Sequence, residues 1–155
     1  MQITATEDVA APVDHVFSEL TSFEVLERYA MRRGIEVQRR FKGDLPTAGE
    51  GWMLRFAFRG KEREASIVLE EYRPFDGLRF GGRSGGLETD TLIELVPLSP
   101  SRTRVNLVFK MTPKTLSARL LVQSFKLARS SINRRVQKRM AQYRDEIEAR
   151  LARSA

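Results

Sequence analysis

Residues 112–155 read TPKTLSARLLVQSFKLARSSINRRVQKRMAQYRDEIEARLARSA, and this stretch decides the fold. After Pro113 it contains neither proline nor glycine, the residues that most often interrupt helices. Leu121, Phe125, Ala128, Ile132, Val136, Met140, Tyr143, Ile147 and Leu151 recur at spacings of three or four. That spacing predicts one long amphipathic helix with a single apolar stripe. Run from residue 116 to 151, it would be roughly 54 Å long at about 1.5 Å per residue. Such a helix exceeds the width of a small sheet, so its end is expected to overhang or fray. Its stripe needs an extended apolar surface opposite it, and only a sheet can supply one.

Working back along the chain, the apolar period is 2 rather than 3.6 between residues 35 and 112. Ile35, Val37 and Phe41 open a strand, and glycines and Pro46 break it. Trp52, Leu54, Phe56 and Phe58 then alternate with Met53, Arg55, Ala57 and Arg59, a half-buried strand pattern. Arg59-Gly60-Lys61 is a turn, followed by the alternating set Ala65, Ile67 and Leu69; residues 74–77 close that hairpin. Leu78 and Phe80 start the next strand, and residues 92–96 and 105–111 supply two more. Upstream, residues 2–9 read as a short strand. Pro12 opens a helix over residues 13–20, where a missing N–H is no loss. Ser22 is placed as N-cap of a second helix with Val25, Leu26, Tyr29 and Ala30 on its apolar face and Gly34 as its stop. The order is strand, two short helices, about six strands, long helix. This is an α+β architecture: a curved antiparallel sheet of about seven strands under one long C-terminal helix, in a single domain over residues 1–155.

Charge is distributed unevenly along that architecture. Residues 1–112 carry 16 basic and 17 acidic side chains, whereas residues 113–155 carry 11 and 3, so the whole +7 excess lies at the C-terminal end. The chain has no cysteine, which excludes disulfides, thiolate catalysis and cysteine-held zinc or iron–sulfur centres. One histidine, His15, argues against a multi-histidine metal site. The N-terminus lacks the apolar run of a signal peptide, and no apolar run is long enough to span a bilayer, so a cytoplasmic location is expected. No metal and no cofactor are expected.

Two segments carry a resemblance. The opening ATEDVAAPVDHVFSELTSFEVLERY (residues 5–29) and the terminal TPKTLSARLLVQSFKLARSSINRRVQKRM (residues 112–140) resemble the START-like, or SRPBCC, superfamily. That group includes birch-pollen-allergen proteins, lipid-transfer START domains and polyketide cyclases/dehydrases. The phrase from Val9 to Phe17 matches its strand-to-helix opening well; Glu27-Arg28-Tyr29 stands where a tryptophan or proline is usual. The resemblance spans essentially the whole chain, and the superfamily shares hydrophobic positions rather than catalytic ones. It implies a helix-grip fold that binds or transports a hydrophobic or amphipathic small molecule between sheet and helix.

Candidate ligand-binding residues are the inward alternation set Leu54, Phe56 and Phe58, with Phe80, Leu107, Phe109 and Met111 from other strands. Leu121, Phe125 and Ile132 face them from the helix. The same residues also fit a filled core, since periodicity does not separate a wall from an interior. Ser124 and Ser131 flank the stripe and could bond a polar ligand group. The run Gly81-Gly82-Arg83-Ser84-Gly85-Gly86 matches no phosphate-loop pattern and is expected to bend or bulge the sheet. His15, beside Asp14 on the first helix, is expected to face solvent. Glu62, Glu64, Glu88, Asp90 and Glu94 are read as a solvated outer face, with Arg55, Arg59 and Arg79 as cross-strand partners.

Arg129, Arg134, Arg135, Lys138 and Arg139 form a candidate anion- or partner-binding face, for an anionic membrane or, less readily, nucleic acid. Three functions therefore stand: carriage of a hydrophobic molecule; a polyketide cyclase/dehydrase-like enzyme, short of inward acids or bases beyond Thr91, Tyr72, Ser66 and Ser124; and an RNA- or ribosome-associated module. The residues favour a binding protein over an enzyme. Oligomeric state is not encoded legibly.

Overall fold

In the computed structural model, which describes residues 1–154, the alternating segments join a single seven-stranded antiparallel sheet. The elements are β1 (Gln2–Val9), α1 (Val13–Leu20), α2 (Phe23–Arg32), β2 (Glu36–Arg39), β3 (Gly51–Phe58), β4 (Lys61–Arg73), β5 (Gly77–Ser84), β6 (Leu87–Ser99), β7 (Arg102–Pro113), α3 (Leu116–Leu127) and α4 (Arg129–Ser154). Strand order is β1-β7-β6-β5-β4-β3-β2, so the first strand pairs with the last and the two helices after β1 cross to the far edge.

Local chemistry explains most of the boundaries. Arg59 and Gly60 both take positive φ, 53° and 73°, and join Phe58 to its partner Lys61 in a two-residue hairpin. Gly34 (φ 82°) ends α2: its N–H donates to the Met31 carbonyl at 3.0 Å, and the Ile35 N–H reaches the Ala30 carbonyl at 3.2 Å. Ser22 stands at the N-cap of α2 as expected, but its hydroxyl donates to the Ser18 carbonyl at 2.8 Å instead of capping. Thr115 does cap α3, accepting from the Ala118 N–H at 3.2 Å.

Two register shifts depart from the simple alternation, one of them near the end of β6 between Pro97 and Ser99. Between Leu69 and Glu71 the β4–β5 register shifts, leaving Glu70 as a bulge. The extra residue inverts the parity of β4, so that Leu69 opposite Phe80 and Tyr72 opposite Leu78 both face inward. The sheet irregularity therefore falls on β4 opposite Arg79 and Phe80, just before the glycine run; Gly81 and Gly82 themselves pair regularly inside β5, and Gly85 (φ 58°) turns the β5–β6 hairpin.

The C-terminal helical stretch is interrupted once. At Ala128 the backbone leaves helical geometry (φ −98°, ψ 14°), separating the 12-residue α3 from the 26-residue α4. The single 54 Å rod expected from the periodicity is thus a bent pair. α3 packs on β7 and α4 runs along β1, and one straight helix would not follow both strands of a twisted sheet. No proline or glycine marks the bend, so its cause is tertiary.

The core lies in two clusters. Val9, Val16, Phe17, Leu69, Leu78 and Ile147 are buried where α1 and α4 meet the sheet, and Ile3, Met111 and Val122 are buried under α3. No helix among the described residues is long and apolar enough to cross a membrane.

Candidate ligand pocket

Between the two clusters the inner face of the sheet is only half-buried, because α4 follows the β1 edge and leaves the central strands to α2. The gap there is a pocket of about 280 Å³. Phe23, Leu26 and Ala30 of α2 form one wall; Trp52, Leu54, Ile67 and Phe80 form the sheet side. The aromatic rings hold this geometry edge-on. Phe23 meets Trp52 at 5.2 Å between centroids and Phe80 at 6.2 Å, and Phe41 closes on Trp52 at 5.3 Å. The lining is almost wholly apolar, with Thr91 and Glu27 as its polar members.

Glu27 is the informative one. Its carboxylate accepts from Arg39 at 2.6 and 2.7 Å and from the Trp52 indole N–H at 2.7 Å. Burial pulls this carboxyl upward, but the bonds from Arg39 and Trp52 together prevail and hold it below the ordinary carboxylate range. It is a strut between α2 and the sheet, spent on its partners, and it has no proton to exchange near neutral pH.

A second, smaller cavity of about 110 Å³ lies under α4 between Val105, Leu107, Met140 and Ile147. Glu7 of β1 faces into it, bonded to the Arg144 guanidinium and accepting from the Gln137 amide at 2.9 Å. Both carboxylate oxygens are thereby occupied by donors from α4. Tyr143 borders the same space; burial raises its phenol to about 12, and its hydroxyl donates to the Glu19 carbonyl at 3.0 Å.

The ten residues expected to contact a ligand are divided by the structure. Leu54 and Phe80 line the larger pocket and Leu107 the smaller cavity. Phe109, Met111, Phe125 and Ile132 are packed together under α3 and α4. Phe58 closes on Phe125 at 6.2 Å, with Arg59 and Arg63 stacked over the Phe58 ring. Phe56 is half-buried on β3, and Leu121 borders an open groove beside Arg59 and Arg63. Phe23, Trp52, Ile67 and the inward acids Glu7 and Glu27 were missed. Trp52 stood in the alternation set of Leu54, Ile67 in that of Ala65 and Leu69, and Glu7 on the parity of Ala5 and Val9, which were the available signals; nothing local marks Glu27.

Other candidates resolve individually. His15 is not turned to solvent: its side chain is 26% exposed and its Nε2 lies 3.7 Å from Glu19. Ser124 donates to the Leu121 carbonyl at 2.7 Å within its own helix, and Ser66 lies on the outer face opposite Met53 and Arg83. The outer-face acids find arginines: Arg55 with Glu64 at 2.8 Å, and Arg79 with Asp90 at 2.7 Å. Arg59 pairs with no acid among the described residues and stacks on aromatic rings instead. Of the basic face, Arg129 donates to the Gln2 carbonyl at 3.0 Å and Arg139 to the Tyr29 hydroxyl at 3.1 Å. Arg134, Arg135 and Lys138 are exposed and make no ion pair among the described residues.

No family model and no curated protein matches the sequence. Solved structures do match over nearly the whole chain. The Zhui aromatase/cyclase from Streptomyces sp. R1128 is 16% identical over 97% of this chain and 95% of its own, with a TM-score of 0.68. Ara h 8.0201 is 10% identical over 98% and 97%, at 0.60. A START superfamily protein from Mycobacterium smegmatis is 14% identical over 88% and 97%, at 0.55. At these identities the likeness is one of fold.

Proposed function

We propose, from the START-like (SRPBCC) helix-grip fold of this chain, that the protein binds or carries a hydrophobic or amphipathic small molecule. The site is the pocket between α2 and the sheet, and the carrier is a single-domain cytoplasmic protein. The observation that carries this reading is a half-buried apolar wall of Leu54, Ile67 and Phe80 facing open space instead of packed side chains. Covering that wall with ligand carbon gains about 25 cal/mol per Å², and Thr91 orients a polar end. The test is native mass spectrometry of gently purified protein against its denatured mass. A stoichiometric added mass of small-molecule size supports the proposal, whereas bare protein that also takes up no fluorescent fatty acid or polyaromatic probe overturns it.

A cyclase-type enzyme is the second reading, favoured by the likeness to the aromatase/cyclase. The acids and the phenol that border the two cavities are committed: Glu7 and Glu27 are both bonded to arginines, and Tyr143 is shifted away from neutral pH. We assign the cations Arg129, Arg134, Arg135, Lys138 and Arg139 to attraction toward an anionic membrane surface. A nucleic-acid partner is less well served, because no aromatic side chain is interleaved among these cations for base stacking.

A further inference from the structure

The apolar stripe that begins at Leu121 does not account for every leucine of α3. Leu116, Leu120 and Leu127 are 73, 65 and 92% exposed. At about 100° per residue these three fall within about 40° of one another on the helix. The buried Ala118 and Val122 occupy the opposite side, so the leucines form a stripe directed away from the sheet. Single exposed leucines are ordinary, but three on one side of a helix, interrupted only by Gln123 between Leu120 and Leu127, form an apolar face.

The flanks of the stripe decide what covers it. Arg119 and Lys126 lie along one side, and neither pairs with an acid among the described residues. Between Glu94 and Asp145 the chain has no acidic residue at all. A second copy laid on this face would bring these cations against their like, and the acids nearest the stripe, Glu62 and Glu64 across the groove beside Leu120, are outnumbered there by Arg59, Lys61 and Arg63. An anionic bilayer satisfies both halves. Its acyl region takes leucines to shallow depth, while arginine and lysine beside them extend to the headgroups.

We propose that α3 is a membrane-interfacial helix, seating Leu116, Leu120 and Leu127 in the headgroup–acyl boundary of an anionic bilayer with Arg119 and Lys126 at its phosphates. The proposal rests on the membrane part of the functional reading and adds to it the element that inserts. Arg134 and Lys138 of α4 also face away from the sheet and extend the same charge.

The absence of cysteine makes a direct test simple. Leu120→Cys, labelled with an environment-sensitive fluorophore, is mixed with phosphatidylcholine vesicles with and without phosphatidylglycerol. Co-sedimentation is followed in parallel for the wild type, for Leu116→Ser/Leu120→Ser/Leu127→Ser, and for Arg134→Gln/Arg135→Gln/Lys138→Gln. The expected result is a blue shift at position 120 only with phosphatidylglycerol, and a loss of about tenfold or more in vesicle affinity for the leucine variant. These leucines are exposed, so an unchanged circular-dichroism melt is expected and shows that folding is intact. Binding that salt abolishes but the leucine variant retains overturns the insertion proposal and leaves charge-driven docking standing. No binding to either vesicle overturns both. A leucine-dependent dimer in sedimentation equilibrium, without vesicle binding, identifies the face as a contact between copies and overturns the proposal as well.

Discussion

The Trp52 indole N–H donates to the Glu27 carboxylate at 2.7 Å, tying the middle of α2 to β3 directly over the pocket. Arg39 of β2 joins the same carboxylate, so the lid helix, an edge strand and an inner strand meet at one group. The pocket keeps its shape through this polar junction, since few apolar contacts cross the open space.

Replacing Glu27 by Ala leaves the Trp52 N–H and the Arg39 guanidinium without their acceptor, and a loss of about 1–3 kcal/mol is expected in urea unfolding. Glu27→Gln retains one acceptor and should lose less. The Glu27 carboxyl is depressed in the folded protein, so its contribution is full above the unfolded value near 4.5 and is lost as pH falls through the folded value. The stability gap between wild type and Glu27→Gln should therefore narrow in acid; a gap that is constant with pH would contradict an ionised junction.

Ala30 lines the pocket from α2. Ala30→Trp should fill the space and abolish uptake of a fluorescent apolar probe, with the melting temperature unchanged or raised. Probe binding that survives this substitution would place the ligand elsewhere.

Tyr143 supplies a spectroscopic signature. Its phenol is raised to about 12 by burial, with Glu19 adding to the effect. Because the folded value lies above the unfolded one near 10, the associated stability is complete below pH 10 and is lost as pH rises toward 12. Ultraviolet titration should show one late-ionising tyrosine that disappears in Tyr143→Phe. That variant also removes the hydrogen bond to the Glu19 carbonyl, at a cost of about 0.5–1.5 kcal/mol.

At Gly51 an added Cβ would lie 1.8 Å from the Ile67 carbonyl oxygen and 2.7 Å from the Val68 Cα, both backbone atoms of the paired strand β4. Gly51→Ala should therefore destabilise by about 3 kcal/mol or more, or prevent folding. A melting curve close to wild type would mean that β3 and β4 can separate locally.

How much of this was legible follows from where the determinants lie. The Arg59-Gly60 hairpin, the Gly34 stop and the alternation of Trp52, Leu54, Phe56 and Phe58 are local, and each was readable from a few neighbouring residues. The bulge at Glu70 is not, because what it changes is the partner strand's register, and it carried Tyr72 inward against the parity of Glu70 and Ser66. The bend at Ala128 was hidden by an unbroken periodic pattern. The same pattern placed Leu121 and Phe125 of α3 on the sheet side and left Leu116, Leu120 and Leu127 unassigned; they face the other way. For the pocket, the sheet wall was half visible and the α2 wall was not, since no spacing shows which of two helices covers a strand. Glu7 sits on the inward parity of β1 between Ala5 and Val9, but its acceptability there depends on Arg144, 137 positions later.

The pairing of β1 with β7 also orders events in time. Residues Gln2 to Val9 find their partners at Lys110 to Thr103, and no other strand lies beside them. A chain growing from its N-terminus carries this segment unpaired until residues 103–110 have been made. α4, which seals the same strand from above, arrives later still. Hairpins from β3 onward can form as they emerge, while the first eight sheet residues wait for the last. A nascent chain therefore presents both a waiting strand and, once β6 has emerged, the open β6 edge that β7 will cover, and chaperone demand should be greatest in that interval.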